Sequence, residues 1–244
     1  MVSSANHTRQ RRTATDTAVR VTDDRSVARA GISISAARVI AVNVGRVREV
    51  DWRGQRIRTG IWKTPVVGRS VAIRGVNLEG DDQADREVHG GPDKAVYAYA
   101  LEDYAYWNER EGIDPRAAVF GENLTLHGID LRAALVGERW RIGSAELEVA
   151  QPRLPCYKLG IRVGDATFPK RFQSAGRLGA YLRIVSEGDV TAGDEIEVTS
   201  RPSHRVTLGS MIVALHDRSK ASALLAAEYL PDFWRLVASG VPMS

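Results

Sequence analysis

From Arg38 onward the chain is built of short β-branched runs broken by glycine and polar turns, a texture that constrains the fold more than anything else in its 244 residues. Val39-Ile40-Ala41-Val42-Asn43-Val44, Pro65-Val66-Val67 and Val71-Ala72-Ile73 read as strands. Trp140-Arg141-Ile142, the turn Gly143-Ser144 and the alternating Ala145-Glu146-Leu147-Glu148-Val149 read as a hairpin with one buried and one wet face. Helical spacing is confined to two places. Val96, Ala100, Tyr104 and Trp107 recur at helical intervals over residues 93–111, with Gly112 placed to close that helix. After residue 204 the strands stop, and three helical segments follow at 207–216, 219–229 and 232–239. Many short strands with one inserted helix predict an α+β, mainly β fold. The expected architecture is a closed or nearly closed β-barrel over residues 36–203 and a small three-helix appendage over 204–244.

Residues 1–35 carry six Arg, three Asp and many Ser and Thr but hardly a large apolar side chain, which predicts a disordered tail. The tail has no apolar core of a signal peptide, and its acidic residues argue against a transit peptide. A hydrophobic share of 43% with 26% charged residues excludes a wholly disordered, collagenous or membrane-embedded chain. No run approaches the ~18 apolar residues of a membrane helix, so no membrane partner is expected. The net charge of +4 is too small and scattered to name a nucleic acid as partner. The appendage between 205 and 240 has a surplus of only one positive charge, and dimerisation through its apolar faces is the better expectation. One cysteine, Cys156, permits no intrachain disulfide, which suits a reducing, cytoplasmic setting.

Three segments concentrate groups that bind anions or metals. The first runs from Gly80 through Asp81, Asp82, Arg86, His89, Gly90, Gly91, Pro92 and Asp93 to Lys94. Successive glycines let backbone N–H groups approach a ligand, the following helix N-terminus would favour an anion, and Arg86, His89 and Lys94 could clamp it. The ordinary alternative is a turn in which Asp93 caps the helix. The second is Phe120-Gly121-Glu122-Asn123-Leu124, an acceptor and an amide at a strand entrance, which spacing alone reads as a polar turn. The third is Gln151-Pro152-Arg153-Leu154-Pro155-Cys156-Tyr157-Lys158-Leu159. Its two prolines stiffen a non-helical mount for the thiol, and Arg153 and Lys158 favour the thiolate, which makes Cys156 a nucleophile or soft-metal ligand rather than an inert core filler. A zinc site is disfavoured, since there is one Cys and no pair of His at ligand spacing. A single thiolate suits a soft metal whose other ligands come with an organic cofactor.

The string from Gln83 to Tyr97, together with Gly121-Glu122-Asn123-Leu124 and the segment from Gln151 to Leu159, resembles the MOSC domain, the module named for the C-terminus of molybdenum cofactor sulfurases. The likeness is to its free-standing, YiiM-like bacterial branch, which Thr59-Gly60-Ile61-Trp62-Lys63-Thr64-Pro65 and the terminal helices also match, over about residues 38–240. The resemblance implies a β-barrel that binds a molybdopterin-type molybdenum cofactor, with Cys156 as the metal or sulfur ligand. Arg86, His89, Gly90, Gly91, Lys94 and Lys158 become candidates for holding the cofactor, and Glu122, Asn123 and Arg153 for lining its pocket. It also implies reduction of N-hydroxylated compounds such as hydroxylaminopurines to amines, with His89 or Glu122 giving protons. The chain has no flavin, haem or iron–sulfur signature, so electrons are expected from an external flavin- or iron–sulfur-containing reductase. The alternative is a non-catalytic carrier of the cofactor, or of sulfane sulfur on Cys156.

Overall fold

The structure is a computed structural model and describes residues 36–85 and 90–240. The expected tail 1–35 and the candidates Arg86 and His89 lie outside the described residues. In chain order the elements are β1 (Arg38–Val44), β2 (Arg48–Trp52), β3 (Gln55–Thr59), β4 (Thr64–Pro65), β5 (Val71–Arg74), β6 (Asn77–Leu78) and β7 (Val96–Ala100). There follow α1 (Leu101–Glu111), β8 (Leu124–His127), β9 (Arg139–Ile142), β10 (Ala145–Pro152), α2 (Tyr157–Val163) and α3 (Phe168–Ala175). The chain ends with β11 (Ala180–Ser186), β12 (Gly188–Val190), β13 (Ile196–Ser200), α4 (Leu208–His216) and α5 (Asp232–Ala238).

The fold is mixed α+β and mostly sheet. Eight strands form the main sheet in the order β13-β9-β10-β11-β7-β8-β1-β4, beside a three-stranded sheet β12-β5-β6 and the hairpin β2-β3. Its pairs are antiparallel except β7 with β8, which run parallel because α1 lies on the connection between them. The start of β1 meets the approach to β13 through an isolated bridge between Arg38 and Glu195. Two backbone hydrogen bonds flank it, Val39 N to Asp194 O at 2.9 Å and Ile196 N to Ala37 O at 2.8 Å.

The helix expected over 93–111 is corrected in its first half. Pro92–Lys94 makes one 3-10 turn, Val96–Ala100 is a strand, and helix begins only at Leu101. All five β7 positions are buried: Val96, Ala98 and Ala100 enter the sheet core while Tyr97 and Tyr99 enter a separate aromatic core, a period of two that overrides the helical spacing. The mount of Cys156 is likewise extended only as far as Cys156 itself, which sits at φ −115° and ψ 172° directly before α2. Neither α2 nor α3 was expected from the sequence. Val66 and Val67 fall outside β4, and the segment expected as helix over 219–229 is a 3-10 stretch, Arg218–Ala226.

The terminal helices share the sheet core: Met211 of α4 and Trp234 of α5 belong to the same buried cluster as Trp140 and Leu147. Trp234 is fully buried, and its indole N–H donates to Gln151 Oε1 of β10 at 2.9 Å. Truncating it removes both the packing and the bond. Trp234→Ala is expected to cost about 3–5 kcal/mol, read as a lower urea midpoint in a single transition seen by near- and far-ultraviolet dichroism. An unchanged midpoint would show that α5 contributes nothing to the sheet's stability.

Candidate functional site

The site is assembled where the segments 59–63 and 81–85 run side by side. Only glycine allows this at Gly60, because a Cβ there would stand 2.2 Å from the carbonyl oxygen of Asp82. Asp81 is the buried anchor. Its Oδ1 accepts from Gly45 N at 2.9 Å, and its Oδ2 accepts from Asn123 Nδ2 at 3.0 Å and from the Lys63 ammonium. The Lys63 and Asp81 side chains are only 7% and 0% exposed. Burial pulls the Lys63 ammonium below the usual lysine range, and Asp81 opposes that shift. Asn123 finishes the arrangement by accepting from Tyr97 N at 3.1 Å through Oδ1.

Above this floor lies an open cleft with ≈ 590 Å³ of empty space, whose walls include Lys63, Asn123, Arg153, Cys156 and Lys158. Arg153 is 6% exposed, with its guanidinium carbon 5.5 Å from the centre of the Tyr97 ring and 5.9 Å from that of Phe172. Its Nη1 is buried and has no hydrogen-bond partner in the protein. A buried cationic donor left without an acceptor is costly, so this position favours an anionic ligand group. Cys156 and Lys158 are half-buried beside it.

Cys156 and Tyr181 also border a second, outer cleft with ≈ 1250 Å³ of empty space that opens to solvent, lined as well by Gly90, Gly91, Lys94 and Phe233. The loop before β7 is held from below: Gln151 Nε2 donates to Asp93 O at 3.2 Å, Gln83 Nε2 donates to Lys94 O at 3.2 Å, and Arg183 Nε donates to Asp93 Oδ1. Gly91 takes φ 88°, which lets the loop turn into the 3-10 turn Pro92–Lys94. The helix dipole expected at this point is therefore absent, since the segment that follows the turn is strand β7.

All three sequence motifs converge on the joined clefts. Asn123, Arg153 and Lys158 face the inner one, Gly90, Gly91 and Lys94 the outer, and Cys156 both. Glu122 stands behind the wall formed by its neighbours Gly121 and Asn123: it is 0% exposed, with Oε1 accepting from Tyr104 Oη at 2.7 Å and from Thr125 Oγ1 at 3.3 Å. The pairing of Lys63 with Asp81, and the aromatic walls Tyr97, Tyr181 and Phe233, were not singled out by sequence. Lys63 lay within the Thr59-to-Pro65 string and Asp81 within the first motif, but nothing local announces that the two meet. Among the described residues no three His, Cys, Asp or Glu side chains gather to hold a metal ion by themselves.

Burial lifts the Glu122 carboxyl from 4.5 to about 7 against the hydrogen bonds from Tyr104 and Thr125 and the charge of Lys63. The folded value lies above the unfolded one, so the stabilisation from the protonated group is full below about pH 4.5 and is lost as the pH rises through about 7. A shift of this size corresponds to about 3 kcal/mol. Urea titrations at pH 5 and pH 8 should show a wild-type decline that Glu122→Gln loses; equal declines in both proteins would place the carboxyl's folded pKa near its unfolded one.

The MOSC domain model matches residues 85–197. The chain is 35% identical over 201 residues to the uncharacterized protein YflK of Bacillus subtilis, spanning 81% of this chain and 90% of YflK. It is 35% identical over 175 residues to the protein YiiM of Escherichia coli, spanning 69% and 78% of the two. A protein named reductase from Gibberella moniliformis is 28% identical over 192 residues, 77% of this chain but 34% of that larger one. The crystal structure of YiiM from Geobacillus stearothermophilus superposes with a TM-score of 0.68 at 29% identity, covering 84% of this chain and 98% of that one. Motifs, fold and relatives agree: the chain belongs to the MOSC domain family, in its YiiM-like branch.

Proposed function

We propose that this protein is a molybdenum-cofactor-dependent reductase that converts N-hydroxylated compounds to amines. The observation that carries the reading is the pairing, on one cleft wall, of the Cys156 thiol with the unpartnered buried Nη1 of Arg153. A molybdopterin-type cofactor is anionic and brings a soft metal, and this donor set fits both ends: a thiolate for the metal, and Arg153 with Lys158 for an anionic group. When bound, the cofactor supplies the two-electron redox chemistry. The net reaction takes a hydroxylamine, two electrons and two protons to the amine and water.

The chain's own residues do the rest. Asp81 and Asn123 hold Lys63 at the floor of the cleft, where burial depresses its pKa and readies it to release a proton toward a departing hydroxyl. Glu122, shielded behind Gly121 and Asn123, acts on Lys63 through charge rather than by contact with a substrate. The low exposure of Arg153 and Lys63 keeps water from screening these charges. Electrons come from an external flavin or iron–sulfur reductase, and a reducing, cytoplasmic setting keeps the thiol available. The main sheet is the barrel of this family in the same reading, and the bridge at Arg38 and Glu195 supports a seam between its ends.

Protein from a molybdenum-replete host should carry molybdenum and pterin in the wild type and lose at least most of the metal in Cys156→Ala. It should also reduce an N-hydroxylated purine when given a chemical reductant. Equal metal in both proteins, or none in either, sinks the reading; bound cofactor without turnover would instead identify a carrier.

A further inference from the structure

The outer cleft has a wall that the reductase chemistry does not use. Phe233 sits on α5 and is 38% exposed, although its neighbours Trp234, Val237 and Ala238 are buried. The ring is not loose. It packs edge-on against Trp234 with ring centroids 5.4 Å apart and planes at 85°, and Trp234 is held by its bond to Gln151. The same Gln151 amide donates to Asp93 O, which also lines this cleft. One side chain of β10 thus ties two parts of the outer cleft's lining together, and Cys156 and Tyr181 belong to the lining that it shares with the inner one.

The two clefts also differ in charge. Among the described residues the inner contains Lys63, Arg153 and Lys158 against Asp82 and Asp85, while the outer has Asp93 and Asp232 against Lys94, with the backbone of Gly90 and Gly91 nearby. Asp93 is already paired with Arg183, and Asp232 is exposed. The surplus of cations and the buried, unpartnered Nη1 of Arg153 favour the inner cleft for an anionic cofactor. The outer cleft offers an aromatic face, a carboxylate and peptide groups, a combination that suits a flat, nitrogen-rich ring.

We propose that the outer cleft is the substrate subsite and that Phe233 is its specificity residue, stacking on a planar heteroaromatic ring whose N-hydroxylated nitrogen points toward Cys156. This rests on the reductase reading for the reaction, but the binding of the ring stands apart from turnover. Stacking on an aromatic side chain makes a difference of about tenfold or more in affinity when it is removed.

The test uses the full, cofactor-loaded chain. Adenine, which cannot be reduced at an N–O bond, should bind the wild type in calorimetry, bind Phe233→Ala at least tenfold more weakly, and bind Phe233→Tyr nearly as well as wild type. Melting temperature and molybdenum content of both variants should match the wild type. With a chemical reductant, Phe233→Ala should raise the KM for an N-hydroxylated purine at least tenfold at little change in kcat, and leave the reduction of N-methylhydroxylamine within twofold. Adenine that fails to bind the wild type, or binds Phe233→Ala equally, overturns the proposal. Adenine binding that depends on Phe233 in a protein reducing neither substrate leaves the subsite standing and sinks the reductase reading.

Discussion

The amide of Asn123 is the tie on which the site depends. Its Oδ1 accepts from β7 at Tyr97 N, and its Nδ2 donates to Asp81. Its backbone carbonyl accepts from Asn43 N of β1 at 2.6 Å. An ionised carboxylate as buried as Asp81 is tolerable only when charge and hydrogen bonds surround it, and the Asn123 amide, the Gly45 N–H and Lys63 supply them. The Lys63 ammonium is correspondingly confined to the floor of the cleft. A residue at the junction of three strands therefore places a charge that is remote from it in sequence.

An aromatic core packs behind this floor. Tyr99, Tyr104, Trp107, Phe120, Phe168 and Phe172 form one buried cluster, with ring centroids of Tyr104 and Phe120 only 4.7 Å apart. Tyr104 donates to Glu122, whose carboxyl is fully buried and does not line the cleft. Arg153 leans on the same core through Phe172 while its guanidinium remains at the cleft wall. Polar function and apolar support thus share side chains instead of occupying separate layers.

What was legible in the sequence was local. The β1 run, the β9–β10 hairpin with its Gly143-Ser144 turn, and α4 with its Thr207 cap all carry their signals within a few residues. The candidates Cys156, Arg153, Lys158, Asn123, Gly90 and Gly91 each sit in a compact motif, and the fold brings all of them to the two clefts. Strand β7 was not, because Val96, Ala100, Tyr104 and Trp107 satisfy a helical period while the sheet buries both faces of 96–100. Helix α2 was hidden by the prolines just before it, which restrict residues 151–155 and say nothing of those after Cys156. The Lys63–Asp81 pair and the arrival of Phe233 at the cleft depend on tertiary contacts, which periodicity does not encode.

The seam between β1 and the approach to β13 sets an order of events in the cell. Residues 37–39 find their hydrogen-bond partners at 193–196, more than 150 positions later, and Trp234 reaches Gln151 later still. During synthesis the first strand leaves the ribosome long before its far neighbour exists, so the sheet stays incomplete until nearly the whole chain has emerged. The outer cleft lacks the wall that carries Phe233 until that moment. The two clefts are thereby complete only in the finished fold, not in any early segment of the chain.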